Sequence, residues 1–282
     1  MNPVEALRRG LVEQVRATFN DRSKGEAPVQ RSDHAMLPPT AVAWRVHGDV
    51  TTMMVGGVSG LLLEMLHPLA LAGVWDHSNF RSDMIGRLRR TARFLAQTTF
   101  ADRDEAEAAI ARVRRIHARV TGTLADGTPY HADDPRLLAW IHVAGARSFL
   151  EGWIRFGEPG MSRADQDRYF AEVAEVALLL GADPVPVTRA GADALIEDFR
   201  VSLQSTDRSR EVARIILKPQ MSGLRAAPAQ AVIAQAAVDL LPPWASRMHG
   251  LRRSALARPA VDAATFGLAS TLRWAFAAEA QR

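Results

Sequence analysis

What most limits the folds open to this chain is a run of helix-length segments, each opened by a capping residue and closed by glycine or proline. Asp134 followed by Pro135 opens a segment that runs to Phe156 with Gly157 as its stop. Ser162, with Asp165 three residues on, opens another that ends at Gly181. A third begins after Ser82 and Asp83 and runs to about Thr98. A fourth opens at Asp102, with Glu105 three residues later, and is expected to end at Gly122. Helical patterns continue over residues 189–204, 208–217, 228–241 and 259–280, punctuated by Pro219, Pro228, Pro242, Pro243 and Pro259. Strand-like alternation never extends beyond a few residues. The expectation is an all-α fold, one domain over residues 1–282 of about ten helices, with short connections suited to antiparallel packing. The turn-rich ADGTPYHADDP admits one small hairpin.

The N-terminal residues 1–39 read as an amphipathic helix, with Val4, Leu7, Leu11 and Val15 on one side, followed by a polar, mobile arm that holds a solvated His34. Residues 50–75 are the most apolar stretch, yet Glu64 interrupts them and Pro68 kinks or restarts the helix. A membrane span needs about 20 predominantly apolar residues, so the stretch is expected to form one buried core helix or two. Gly56, Gly57, Ser59 and Gly60 along it would let a backbone, or a flat ligand, come close. No export signal is visible, which leaves a cytoplasmic location as the expectation.

Composition narrows the chemistry. The chain has 282 residues, 35 basic against 31 acidic, and a net charge of +4, too slight to imply a polyanion partner. Only Lys24 and Lys218 are lysines. Cysteine is absent, so disulfides, thiolate nucleophiles, zinc–thiolate sites and iron–sulfur clusters are excluded. The phosphate-binding loops of nucleotide enzymes, the serine-hydrolase elbow, the His-Glu-x-x-His pair and the Glu-x-x-His pairs of di-iron bundles are all missing. Arg87, Arg89, Arg90 and Arg93 circle their helix rather than form a stripe, so no nucleic-acid role is expected. Asp76 beside His77 suggests a carboxylate-held base, but adjacent helical residues point in different directions.

One constellation remains. Arg87 and Thr91 stand four apart with Arg90 between, which makes a cationic, hydroxyl-bearing face. On the next segment His117 lies between Val113 and Val120, and His142 follows Trp140 and Ile141. Guanidinium groups suit paired carboxylates, and an imidazole among apolar side chains suits an iron. Haem presents both needs: two propionates, and an iron that accepts an imidazole nitrogen.

The segments HPLALAGVWDHSNF (His67 to Phe80), RLRRT (Arg87 to Thr91), IHARVTG (Ile116 to Gly122), DGTPYHADDP (Asp126 to Pro135), LAWIH (Leu138 to His142) and LLLGADPVPVT (Leu178 to Thr188), in this order and spacing, resemble the MpaB-type oxygenase family. The catalytic domain of that family is shared with the latex-clearing rubber oxygenases. The resemblance covers about residues 40 to 240 and implies an all-helical haem b oxygenase that uses dioxygen. It places the family's arginine and threonine on Arg87 and Thr91, and its iron ligand on His117, with His142 as rival. Where rubber oxygenases carry a lysine able to occupy the distal side of iron, this chain has Arg90, which cannot lose its proton to serve as a ligand. The implied distal side is therefore open to dioxygen, and a rubber-like polymer does not follow as substrate.

Arg87, Arg90 and Thr91 are thus the expected catalytic group, with Arg87, Thr91, His117 and His142 around the cofactor and His117 on the metal. The expected partners are dioxygen and an apolar, isoprenoid-like small molecule in a pocket lined by residues 50–75 and by Met53 and Met54. A homo-oligomer is left open. Two other readings stand beside this one: a helical protein that binds an apolar ligand without redox work, and a non-haem metal enzyme in which His67, His77, His117 and His142 converge.

Overall fold

A computed structural model describes residues 2–21, 25–218, 226–252 and 254–277. Thirteen α-helices and one small hairpin appear among them: α1 (Pro3–Phe19), α2 (Val42–His47), α3 (Val50–Glu64), α4 (Pro68–His77), α5 (Met84–Phe100), α6 (Arg103–His117), β1 (Thr121–Thr123), β2 (Pro129–His131), α7 (Pro135–Phe156), α8 (Arg163–Leu180), α9 (Arg189–Phe199), α10 (Asp207–Leu217), α11 (Ala226–Leu240), α12 (Pro243–Met248) and α13 (Arg258–Ala277). The fold is all-α. The excess over ten comes from short pieces such as α2 and α12, and from the division of the apolar stretch in two.

The caps act as the sequence indicates. Asp83, Asp134 and Ser162 accept hydrogen bonds from Gly86 N, Leu137 N and Asp165 N respectively, each satisfying a first-turn amide. Asp49 does the same for α3 through Thr52 N, at 2.8 Å. Gly157 and Gly181 follow the last residues of α7 and α8.

α3 is the central helix, packed against α7, α11, α13 and α10. Its small residues serve this packing rather than a flat ligand. A Cβ at Gly56 would lie 2.7 Å from Ser148 O and 2.8 Å from Phe149 Cα, and one at Gly152 would lie 2.8 Å from Thr52 O. The two backbones therefore touch at a depth no side chain allows. Met53 packs on the main core, and Met54 on a smaller cluster around Val55, Phe156 and Ile233. At His67–Pro68 the chain turns into α4, whose axis makes 104° with that of α3, and no single helix among the described residues is long and apolar enough to cross a membrane.

Two expectations on chain path are corrected. The described part of the arm is tied down: Ser32 N donates to Phe100 O at 2.9 Å, Arg103 N donates to His34 O at 3.1 Å, and Met36 and Leu37 are buried. And α6 ends at His117, not at Gly122. Gly122 instead pairs with Tyr130 in the hairpin, where a Cβ would fall 2.4 Å from the tyrosine oxygen. Its lack of a side chain is spent on seating Tyr130.

Candidate functional site

The last residue of α3 is an acid in an apolar run. Glu64 turns its carboxyl into the interior, where its Oε1 lies 3.7 Å from the position a Cβ on Gly145 would take. Its backbone oxygen accepts a hydrogen bond from Trp140 Nε1 at 3.2 Å, which ties the end of α3 to α7. Burial pushes the Glu64 carboxyl up to about 8, and the opposing pull of the Arg87 charge does not overcome it. At neutral pH this group therefore holds its proton most of the time.

Arg87 reaches inward from the first turns of α5. Its Nη1 donates to Ser78 Oγ at 3.1 Å, just past the end of α4. Burial lowers its pKa, with Glu64 opposing and Arg90 adding to the effect. The C-termini of α3 and α4 and the N-terminus of α5 thus meet around one half-buried acid, one half-buried cation and one hydroxyl, against the middle of α7.

The other members of the expected cationic face point elsewhere. Arg90 is exposed, 3.5 Å from Asp83 and 3.3 Å from Asn79 Oδ1. Thr91 is exposed as well, and its hydroxyl donates back to Arg87 O at 3.3 Å within the helix. The face is split: Arg87 looks inward, while Arg90 and Thr91 stand at the surface of the same turns.

The histidines divide in a similar way. α5 and α6 form an antiparallel pair turning at Ala101, so the C-terminal end of α6 runs beside the N-terminal half of α5. His117 closes α6 there, half-buried and with no hydrogen bond to its imidazole among the described residues. Burial lowers its pKa, and Asp133 opposes the shift. His142 lies deeper, on the α7 turn that leads to Gly145. Its Nε2 is wholly inaccessible and has no partner, and burial holds the ring down to about 4. Both rings are neutral at pH 7, with nitrogen lone pairs uncommitted to the protein.

His67 and His77 do not join them. His67 packs on Trp140 and Phe199, with ring centroids at 6.2 and 5.9 Å. His77 Nε2 meets Thr121 O at 3.0 Å and Tyr130 Oη at 3.2 Å, and Tyr130 donates to Asp76 Oδ2 at 2.7 Å. Asp76 and His77 therefore share Tyr130 as a clamp on the hairpin rather than forming a catalytic pair. No group of three His, Asp or Glu residues among those described is arranged to hold a metal ion. Convergence of His67, His77, His117 and His142 on a bare metal is thus not the arrangement of this fold.

Glu64 and Ser78 are the members that sequence reasoning did not place in the site. A signal for Glu64 was present: a lone acid inside the most apolar segment must be exposed, paired or functional.

Comparison with known proteins adds one finding. Residues 44–274 match the family model described as "ER-bound oxygenase mpaB/B'/Rubber oxygenase, catalytic domain". No curated protein and no solved structure gives a match.

Proposed function

This chain belongs to the mpaB/rubber-oxygenase catalytic-domain family, and from that membership we propose that it is a haem-b-dependent oxygenase acting with dioxygen on an apolar, isoprenoid-like small molecule. The observation that carries the reading is the half-buried acid Glu64 in the field of Arg87, itself bonded to Ser78. Drawing an acid and a cation part-way out of water carries a desolvation cost. Hydrophobic side chains would hold three helix ends together at less cost, so the polar group serves chemistry.

Haem needs only one protein ligand on iron, and the residues present fit it. A neutral imidazole without a hydrogen bond is available at His117 and another at His142. His117 is the better candidate, because it is half-exposed at the end of α6 and can meet a group entering from the surface. His142 Nε2 can be reached only if helices part. Arg90, exposed and held only by surface contacts to Asp83 and Asn79, suits a propionate. Arg87 is already committed to Ser78. Bound haem would supply the binding and activation of dioxygen, the part of the reaction no amino-acid side chain performs.

What the chain itself contributes is a proton and a fixed charge. Glu64 carries its proton at neutral pH and can release it from a carboxyl held against Gly145, while Arg87 stabilises the carboxylate left behind. Ser78 accepts from Arg87 Nη1 and fixes the guanidinium in place. A group with a pKa near working pH serves as both acid and base. The apolar walls of α3 and α7 keep bulk water from competing for that proton.

Production with ample haem precursor tests the reading, followed by haem quantitation and by measurement of dioxygen uptake with unsaturated terpenoids. One haem per chain and substrate-dependent uptake are expected. Protein that stays colourless after reconstitution, yet carries a fatty acid or terpenoid by mass spectrometry, would instead establish a binding protein without redox chemistry.

A further inference from the structure

α4 runs out in three consecutive polar residues, Asp76, His77 and the capping Ser78. Ser78 accepts from Arg87 Nη1 at 3.1 Å and so fixes the guanidinium of the candidate site. Asp76 and His77 hold the hairpin instead. Tyr130 Oη donates to Asp76 Oδ2 at 2.7 Å, and His77 Nε2 lies 3.0 Å from Thr121 O and 3.2 Å from Tyr130 Oη. A carbonyl oxygen only accepts, and the tyrosine proton is spent on Asp76, so Nε2 of His77 carries the hydrogen and donates to both.

The hairpin has little rigidity of its own. Its strands, Thr121–Thr123 and Pro129–His131, have three residues each, and an isolated pair of strands is marginally stable in water even at greater length. Yet this hairpin closes the end of α6. Val120 N donates to His117 O at 2.9 Å, and Ala132 N donates to Val120 O at 2.9 Å. The backbone of His117 is therefore two hydrogen bonds from the base of the hairpin. Its place relative to α4 depends on whatever fastens that base. Packing contributes: Val120 Cγ1 comes within 3.7 Å of the position a Cβ on Gly73 would take, and the Tyr130 ring fills the space left by Gly122. A phenylalanine ring would pack in the same slot. The hydroxyl on a ring only 2 % exposed adds a directed strut to α4, since a hydrogen bond fixes angle as well as distance.

We propose that Asp76, His77 and Tyr130 are positioning residues, which set the spacing between the His117 end of α6 and the Arg87 end of α5. The inference rests on the reading of His117 and Arg87 as parts of one haem site. Neighbouring residues at the end of one helix hold both sides of it: Ser78 the cation, Asp76 and His77 the turn that follows the imidazole. Groups one step removed from a metal ligand fix its orientation, and their loss costs about 10–100-fold in affinity.

The parent is compared with Tyr130→Phe, Asp76→Ala and Asp76→Asn, first without haem and then after haem loading. In haem-free protein, amide hydrogen exchange at Val120 and Ala132 is expected to quicken by at least about tenfold in Tyr130→Phe and Asp76→Ala, as loss of a charge-assisted hydrogen bond implies. The distant Thr52 amide, bonded to Asp49 at 2.8 Å, stays unchanged. Asp76→Asn, whose amide oxygen still accepts from Tyr130, keeps the parent's rates. In loaded protein, Tyr130→Phe and Asp76→Ala show a displaced Soret band and pass haem to apomyoglobin at least about tenfold faster, and Asp76→Asn again matches the parent. Exchange unaltered in both disruptive variants overturns the proposal. So does faster exchange with the parent's Soret band and release rate, which would leave the three residues as a fastening of the hairpin alone. A parent that takes up no haem contradicts the haem reading instead, and the positioning role then stands or falls on the exchange rates.

Discussion

Glu64 shows how one residue changes meaning once helices meet. In the chain it is an interruption of an apolar run; in the fold it is the proton-holding member of a half-buried group with Arg87 and Ser78. Its pKa, raised to about 8, has a consequence that stability measurements can read. The folded state keeps a proton that the unfolded chain releases near 4.5, so this group's contribution falls as pH rises from 4.5 through 8. Glu64→Gln keeps the shape and never ionises. Thermal melts should show the variant gaining on the parent across that window, and parallel curves would mean that the carboxyl is solvated. Glu64 was legible as a lone acid in an apolar run, but its meeting with Arg87, 23 positions along the chain, was not, and neither was that of Ser78, 9 positions away, because no local pattern records such a meeting. Arg87 was legible through its motif. The inward turn of Arg87 and the outward turn of Arg90 and Thr91 were not, since a helical wheel places all three on neighbouring parts of one face and only the packing of α3, α4 and α7 decides which part is covered.

At the level of elements, local chemistry carried most of the information. Asp134-Pro135 to Gly157 and Ser162 to Gly181 are found where caps and stops put them, because those residues satisfy or terminate backbone hydrogen bonds whatever the tertiary context. The end of α6 shows the limit. Gly122 has the form of a helix stop, but Tyr130, anchored by Asp76 and His77, needs a residue without a Cβ there. Long-range packing outweighed the local signal. The contact of α3 on α7 yields a test of its own. Gly56→Ala gains about 1 kcal/mol in helix propensity. Against this, the new methyl meets backbone at 2.7 and 2.8 Å, and overpacking costs about 1–3 kcal/mol even where side chains can give way. Backbone cannot, so chemical denaturation should show a net loss of about 2 kcal/mol. An unchanged midpoint would show that α3 and α7 are not in backbone contact.

For the molecule as a whole, buried neutral histidines set the acid limit. His47, His67 and His142 are each held down to about 4 by burial. The unfolded chain takes up protons at these rings from about pH 6.5 downward, while the folded protein resists until about pH 4. Their contribution is complete above 6.5 and is lost as pH falls through that interval. Proton uptake on unfolding at pH 5, measured by calorimetry in buffers of different ionisation enthalpy, should approach three from these groups, less the proton that Glu64 releases, and net uptake near zero would contradict their burial. The proposed iron ligand, His117, is a different neutral imidazole from these three, its pKa also lowered by burial. The absorption spectrum of haem-loaded protein tests that claim most directly, comparing the parent chain with His117→Ala and His142→Ala. The account predicts a Soret band in the parent that is lost or strongly shifted in His117→Ala and retained in His142→Ala. A band that survives in both variants, or never forms in the parent, would contradict it.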